Sequence, residues 1–167
     1  METTSGAHEL SCKWNLYYHL QTDNSWTHDS YKVIMREIDS VESVNALNET
    51  IPEYMLYNCM FFCMKNGIAP MWEDAKNRDG GCFSYRVANT DVSTAWRKLM
   101  VAMCGNSLTT GPKYESHING ITISPKKRFS VIKIWMDTCN FQNPDLVKDI
   151  PSLPKDGCLF KKHAPEF

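Results

Sequence analysis

The chain has 167 residues and a mass of 19.2 kDa, with 43% hydrophobic and 22% charged residues. That composition describes one ordinary globular domain, 1–167, and excludes disordered, collagen-like and low-complexity classes. Lys and Arg number 18 against 19 Asp and Glu, a net charge of −1, so binding along DNA is not expected and any nucleic-acid contact is small and local.

No apolar run approaches the ~18 residues of a membrane span, so no membrane partner is expected. Met1–His8 lacks the basic and apolar regions of a secretory leader, and residues 1–7 read as a disordered start. Residues 13–20 alternate, with Trp14, Leu16, Tyr18 and Leu20 on one face of a strand. A polar loop, 21–30, carries Trp26, and residues 31–38 form a second strand. Ser40 is placed to cap a helix running to about Leu47, which Pro52 stops. Residues 57–64 make a strongly apolar strand, and a long turn follows from Lys65 to Gly81 with Gly67, Pro70 and a Gly80-Gly81 pair. Residues 82–88 are a strand. Ser93 is expected to cap a helix over 94–104, whose stripe is Trp96, Leu99, Met100 and Met103 and whose end is Gly105.

Two further strands fall at 117–124 and 129–136. Ile121 and Ile123 share a face against Thr122 and Ser124; Ile132, Ile134 and Met136 oppose Val131, Lys133 and Trp135. Each strand thus offers one apolar face to helices and one partly polar face. A short helix starts after Asn143 with Pro144 at its first position, and a last strand falls around 157–162. The pattern is α+β: a curved antiparallel sheet with about three helices on its convex face. The seven cysteines include no Cys-x-x-Cys pair, so neither a metal site nor a disulfide framework is expected, and a reduced cytoplasmic or nuclear setting fits.

Five tryptophans are the main oddity. Trp14 and Trp96 occupy periodic apolar positions and read as core. Trp26 and Trp72 stand in polar loops, where an indole is either a hydrophobic anchor or a ligand platform. Glu73 directly follows Trp72, and a carboxylate beside an indole can accept N–H bonds from a guanine edge while the ring stacks on its face. Lys126, Lys127, Arg128 and Lys133 cluster without an intervening acid, either as a solvated surface or as a clamp for a polyphosphate. No nucleophile–base constellation stands out, so an enzyme is not expected.

The stretch Asn66 to Gly81, Asn-Gly-Ile-Ala-Pro-Met-Trp-Glu-Asp-Ala-Lys-Asn-Arg-Asp-Gly-Gly, strongly resembles the signature of the eukaryotic translation initiation factor 4E family, the mRNA cap-binding proteins. The resemblance opens at His8-Glu9-Leu10, passes Trp14, Trp26 and Asp39-Ser40-Val41-Glu42, continues through Trp96 and Gly105, and ends with Ile132-Lys133-Ile134-Trp135. It implies a cupped sheet that binds 7-methylguanosine triphosphate on its concave side, with no cofactor. Trp26 and Trp72 match the rings that sandwich the methylated base. Glu73 matches the carboxylate that bonds its edge, and Trp135 the indole near the methyl group. Phosphate contacts fall to Lys126, in place of an Arg, and to Arg128 and Lys133, since the position of a second basic residue reads Val131. Lys161 or Lys162 is a further candidate.

On the convex side, where the family binds its scaffold subunit and repressors, this sequence departs from the pattern. The exposed indole of the first helix falls on Asn45, and Arg97 and Lys98 replace apolar and acidic positions, while Val41 and Val101 stay apolar. The resemblance therefore implies capped mRNA as ligand and a divergent scaffold or repressor as partner. The readings are a cap-binding initiation factor, a cap-binding repressor or decoy, and an interaction domain that has lost the cap; a cap-processing hydrolase is the least supported.

Overall fold

The computed structural model describes residues 6–166; the disorder expected of 1–7 falls, for residues 1–5, outside them. Seven strands form one sheet: β1 (Glu9–Leu20), β2 (Lys32–Ser40), β3 (Cys59–Lys65), β4 (Gly81–Ala88), β5 (Ile118–Pro125), β6 (Phe129–Met136) and β7 (Leu159–Lys162). Their order is β2-β1-β3-β5-β6-β4-β7 and every pairing is antiparallel. Four helices accompany them: α1 (Val41–Thr50), α2 (Glu53–Asn58), α3 (Val92–Cys104) and the single turn α4 (Pro112–Glu115). The α+β class with a curved antiparallel sheet is as expected from the alternation of its strands.

One face of the sheet carries the main core. Trp14, Leu16, Phe61, Phe83, Tyr85, Ile121, Ile123, Ile132 and Ile134 meet Val44 and Leu47 of α1, Leu56 of α2 and Trp96, Leu99, Met100 and Met103 of α3. The stripe on α3 repeats at helical spacing, so one helix face buries while Val101 and Lys98 stay outside. Opposite-parity residues make a smaller cluster on the other face: Tyr17, Phe62, Met64, Cys82 and Trp135, joined by Ile68 from the following loop. Leu20, expected with the buried set, is exposed because it ends its strand.

Several boundaries differ from the sequence-based expectation. β1 starts at Glu9, four residues early. Ser40 does cap α1, its hydroxyl accepting from the Ser43 N–H at 3.3 Å. Pro52, read as a stop, also opens α2 as its N-cap residue; a proline ends one helix and suits the start of the next because its missing N–H is not needed there. The first residues of the expected 57–64 strand are therefore helical. Asp91, not Ser93, is the N-cap of α3; Ser93 lies inside the helix and its Oγ accepts from Arg97 Nε at 3.1 Å. All seven cysteines are free thiols.

The double glycine opens β4 where three chain segments converge. A Cβ on Gly80 would lie 1.9 Å from the Met136 carbonyl oxygen, and one on Gly81 would lie 2.6 Å from the Lys161 carbonyl oxygen. Both obstacles are backbone, so no rotamer change relieves them. Gly80→Ala is expected to lower stability by about 1–3 kcal/mol, seen as a lower urea midpoint with unchanged slope.

Candidate functional site

The open face of the sheet holds a cavity of about 360 Å³, at the lower end of the ~300–1,000 Å³ usual for small-molecule sites. Its floor comes from the sheet: Met60 and Phe62 of β3, Thr122 and Ser124 of β5, Lys133 and Trp135 of β6. Its walls come from loops: Trp26 and Tyr31 on one side, Pro70, Met71, Trp72 and Glu73 on another, and Ala164 and Glu166 from the segment after β7. Larger hollows of about 470 and 880 Å³ lie elsewhere but hold no tryptophan.

Trp26 is placed by short-range bonds. The Asp23 carboxylate accepts from the Ser25 N–H at 2.9 Å and from its hydroxyl at 2.7 Å, while the Asp23 N–H closes a turn on the Leu20 carbonyl. These bonds hold the Asp23 carboxyl below its ordinary range, the Ser25 hydroxyl contributing most. The indole that follows is 52% exposed. It lies flat against His19 of β1, with ring centroids 4.1 Å apart and planes 4° from parallel.

Trp72 and Glu73 sit in the loop between β3 and β4, which is cross-braced from inside. Asp74 accepts from the N–H groups of Ala69 and Lys76 at 2.8 Å each. The buried Asn77 side chain donates to the carbonyls of Ala69 and Met71 at 3.0 and 2.9 Å. Asn119 in turn donates to Asn77 Oδ1 and to the Lys76 carbonyl, both at 2.9 Å. His163 completes the brace: its N–H bonds the Gly80 carbonyl and its ring Nδ1 meets the Asn77 carbonyl at 2.6 Å. Burial holds the His163 imidazole below the ordinary histidine range, partly offset by that carbonyl. The ring packs near-parallel to Trp72 at 5.9 Å and tilted against Trp135 at 4.8 Å.

Trp135 is buried in the floor, and its indole N–H donates to Thr122 Oγ1 at 3.2 Å. Lys133 Nζ stands 5.9 Å from the centre of the Trp72 ring. Glu73 Oε1 accepts from the Glu166 N–H at 3.2 Å. Tyr31 has its hydroxyl pushed up to about 12 by burial and by the nearby Glu73 charge. It therefore stays neutral and able to donate.

The structure thus brings Trp26, Trp72, Glu73, Trp135 and Lys133 to one cavity. Lys126 and Arg128 do not line it. Lys126 follows the last residue of β5 and borders a separate hollow with His19, Asp23 and the back of Trp26; Arg128 is exposed in the β5–β6 turn. Lys161 pairs in register with Cys82, and its charge, like that of Lys133, acts on the Cys82 thiol, so both ammonium groups lie near that thiol. Tyr31, Met60, Phe62 and the 164–166 segment were not singled out from sequence. Met60 and Phe62 were legible as the opposite parity to Phe61; Tyr31 and the terminal segment carried no local signal.

On the helical face, Val41 and Val101 are exposed at 42% and 46%, and Asn45 and Lys98 are exposed beside them. Arg97 is not a loose surface charge. Its Nε donates to Ser93 and its Nη2 to the Ile51 carbonyl at 3.1 Å, while Asn48 donates to the Arg97 carbonyl at 3.2 Å. These bonds tie α3 to the end of α1.

Comparison with known proteins places this geometry. Relatives include translation initiation factor 4E of Xenopus laevis, 26% identical over 155 residues, covering 89% of this chain and 70% of that protein. That of Eremothecium gossypii is 29% identical over 163 residues, covering 92% and 70%. That of Candida glabrata is 27% identical over 141 residues, covering 80% of this chain and 65% of that protein, so the chain spans about two thirds of its relatives' length. Among solved structures, C. elegans eIF4E-3 in complex with the 4E-binding protein Mextli and cap analog superposes with a TM-score of 0.71 at 26% identity, covering 80% of this chain and 76% of that one. Ascaris suum eIF4E-3 in complex with the m7G cap shares the fold at a TM-score of 0.70 and 23% identity, covering 84% and 78%. The family model for eukaryotic initiation factor 4E matches residues 9–161, nearly the whole described chain, and the chain belongs to that family, one of initiation factors rather than enzymes.

Proposed function

We propose that this protein binds the 7-methylguanosine cap of mRNA by stacking the base between Trp26 and Trp72, and that it serves translation initiation in the cytoplasm. The observation that carries this reading is that two loop indoles, a carboxylate, a buried indole and an ammonium all line one base-sized cavity. Methylation makes the purine cationic, and indole faces attract cations. Glu73 accepts the base N–H groups; each such charge-assisted bond is worth about 1.5–3 kcal/mol. Trp135 lies under the methyl group. Lys133 meets the first phosphates, and Lys161, Lys126 and Arg128 supply charge further along the chain. The cavity presents an acid and a base, Glu73 and Lys133, which suits a ligand with a cationic ring and an anionic tail. Structures of relatives with cap analog or m7G cap support this reading.

A 4E-binding protein accompanies the C. elegans relative and the schistosome one, which supports a protein partner here, and we assign that partner to the helical face. That partner is divergent. Asn45 offers a polar amide where docking would desolvate it, while Val41 and Val101 provide exposed apolar area. Lys98 presents the exposed positive charge, since the Arg97 guanidinium is occupied by Ser93 and Ile51. A repressor or decoy that binds the cap without the ordinary scaffold is the second reading, favoured by this altered face.

Calorimetric titration is expected to show clear preference for 7-methyl-GTP over GTP. Trp26→Ala and Trp72→Ala should each weaken binding by about 1–3 kcal/mol, and Glu73→Gln by about 1.5–3 kcal/mol. Equal affinity for GTP and 7-methyl-GTP would sink the proposal.

Affinity should rise from 7-methyl-GMP to the triphosphate and fall with salt. Lys133→Ala is expected to remove more of that rise than Lys126→Ala, because only Lys133 lines the cavity. The opposite ranking in the same titration would place the phosphates along the β5–β6 turn.

For the partner face, a peptide carrying the family's Tyr-x-x-x-x-Leu-apolar docking motif should bind at least tenfold more weakly than to typical family members, a loss of ~1.4 kcal/mol or more. Tight binding that Val41→Asp abolishes would show that the ordinary surface persists despite Asn45.

A further inference from the structure

His19 lies outside the cavity, on the far side of the exposed Trp26 ring. It is fully buried, and it borders the separate hollow shared with Asp23 and Lys126 rather than the cavity itself. Its ring is stacked on Trp26 at 4.1 Å and 4°, closer and flatter than His163 against Trp72 at 5.9 Å and 15°. The ring is also fixed from behind. Its Nε2 faces the Ser25 carbonyl at 2.9 Å, and a carbonyl only accepts, so Nε2 carries the proton of the neutral ring. Nδ1 is buried with no partner among the described residues. A local relay thus runs from Asp23 to Ser25 to His19 to Trp26.

We infer that His19 is a positioning residue: its buried ring, anchored on the Ser25 carbonyl, holds Trp26 flat for stacking on the base. The inference rests on the proposed cap-binding role of the site. Holding an exposed indole in one orientation spares the ligand that ordering step.

The test is calorimetric Kd for 7-methyl-GTP and for GTP at one pH for the wild-type protein, His19→Phe and His19→Ala. His19→Ala removes the backing of Trp26 and should weaken 7-methyl-GTP binding by about fivefold or more. His19→Phe keeps a flat aromatic ring behind the indole and should retain the wild-type affinity. Wild-type affinity in His19→Ala, or a loss in His19→Phe as large as that in His19→Ala, overturns the inference. Absence of any preference for 7-methyl-GTP in the wild type overturns instead the cap-binding reading on which it rests.

Discussion

The side chain of Asn77 is the interaction on which the rest of the site depends. It is wholly buried, and its amide spends both N–H groups on the carbonyls of Ala69 and Met71 while its oxygen accepts from Asn119. A loop of this length cannot lie on a sheet with its backbone groups unpaired, because each buried unpaired group costs about 1–3 kcal/mol. One amide and its neighbours solve that for the loop and leave Trp72 and Glu73 standing over the cavity. The Asn77 carbonyl then receives the His163 ring, which packs against both Trp72 and Trp135. Loop, sheet floor and terminal segment are therefore joined through one residue.

That brace requires an irregularity in the sheet. The register between β5 and β6 shifts between Ile118 and Gly120, so two steps along β5 match one along β6. The additional residue is Asn119, and a bulge is the device that re-aims a side chain out of the regular alternation. Next to it, Gly120 has no room for a Cβ, which would lie 2.4 Å from the Cys63 carbonyl oxygen. Beyond the bulge the alternation resumes. Ile121 and Ile123 go to the helical core, and Thr122 and Ser124 to the cavity, where Thr122 holds the indole N–H of Trp135. The two faces are thus built by one set of strands with different demands: dense apolar packing beneath the helices, and aromatic and polar groups on the open side.

The helical face shows how a charge counted from sequence changes meaning once its partners are known. Arg97 reads as a new basic feature, yet its guanidinium donates within α3 and across to the end of α1. It closes the carbonyl of Ile51 where α1 stops and α2 is about to begin, so its contribution is to helix packing. Lys98, one position on, projects outward. Consecutive helix positions differ by about 100°, enough to separate a structural cation from a surface one.

By itself the sequence determined the class of fold, the parity of most strands and the block from Asn66 to Gly81 that carries Trp72 and Glu73. These are local properties: alternation and helical spacing follow from which way successive side chains point, and the double glycine marks a crowded backbone. The paired loop indoles were legible because indoles in polar loops conflict with their surroundings. Tertiary structure alone decided that α2 follows Pro52, that Asn119 sits in a bulge facing Asn77, that residues 164–166 border the cavity, and that Lys126 lies behind Trp26 while Lys133 lies in front of Trp72. It alone set His19 behind one indole and His163 beside the other. These relations join residues distant in the chain or separated by a turn, and chain closure governs their meeting. No short-range periodicity encodes which residues the folded sheet brings face to face.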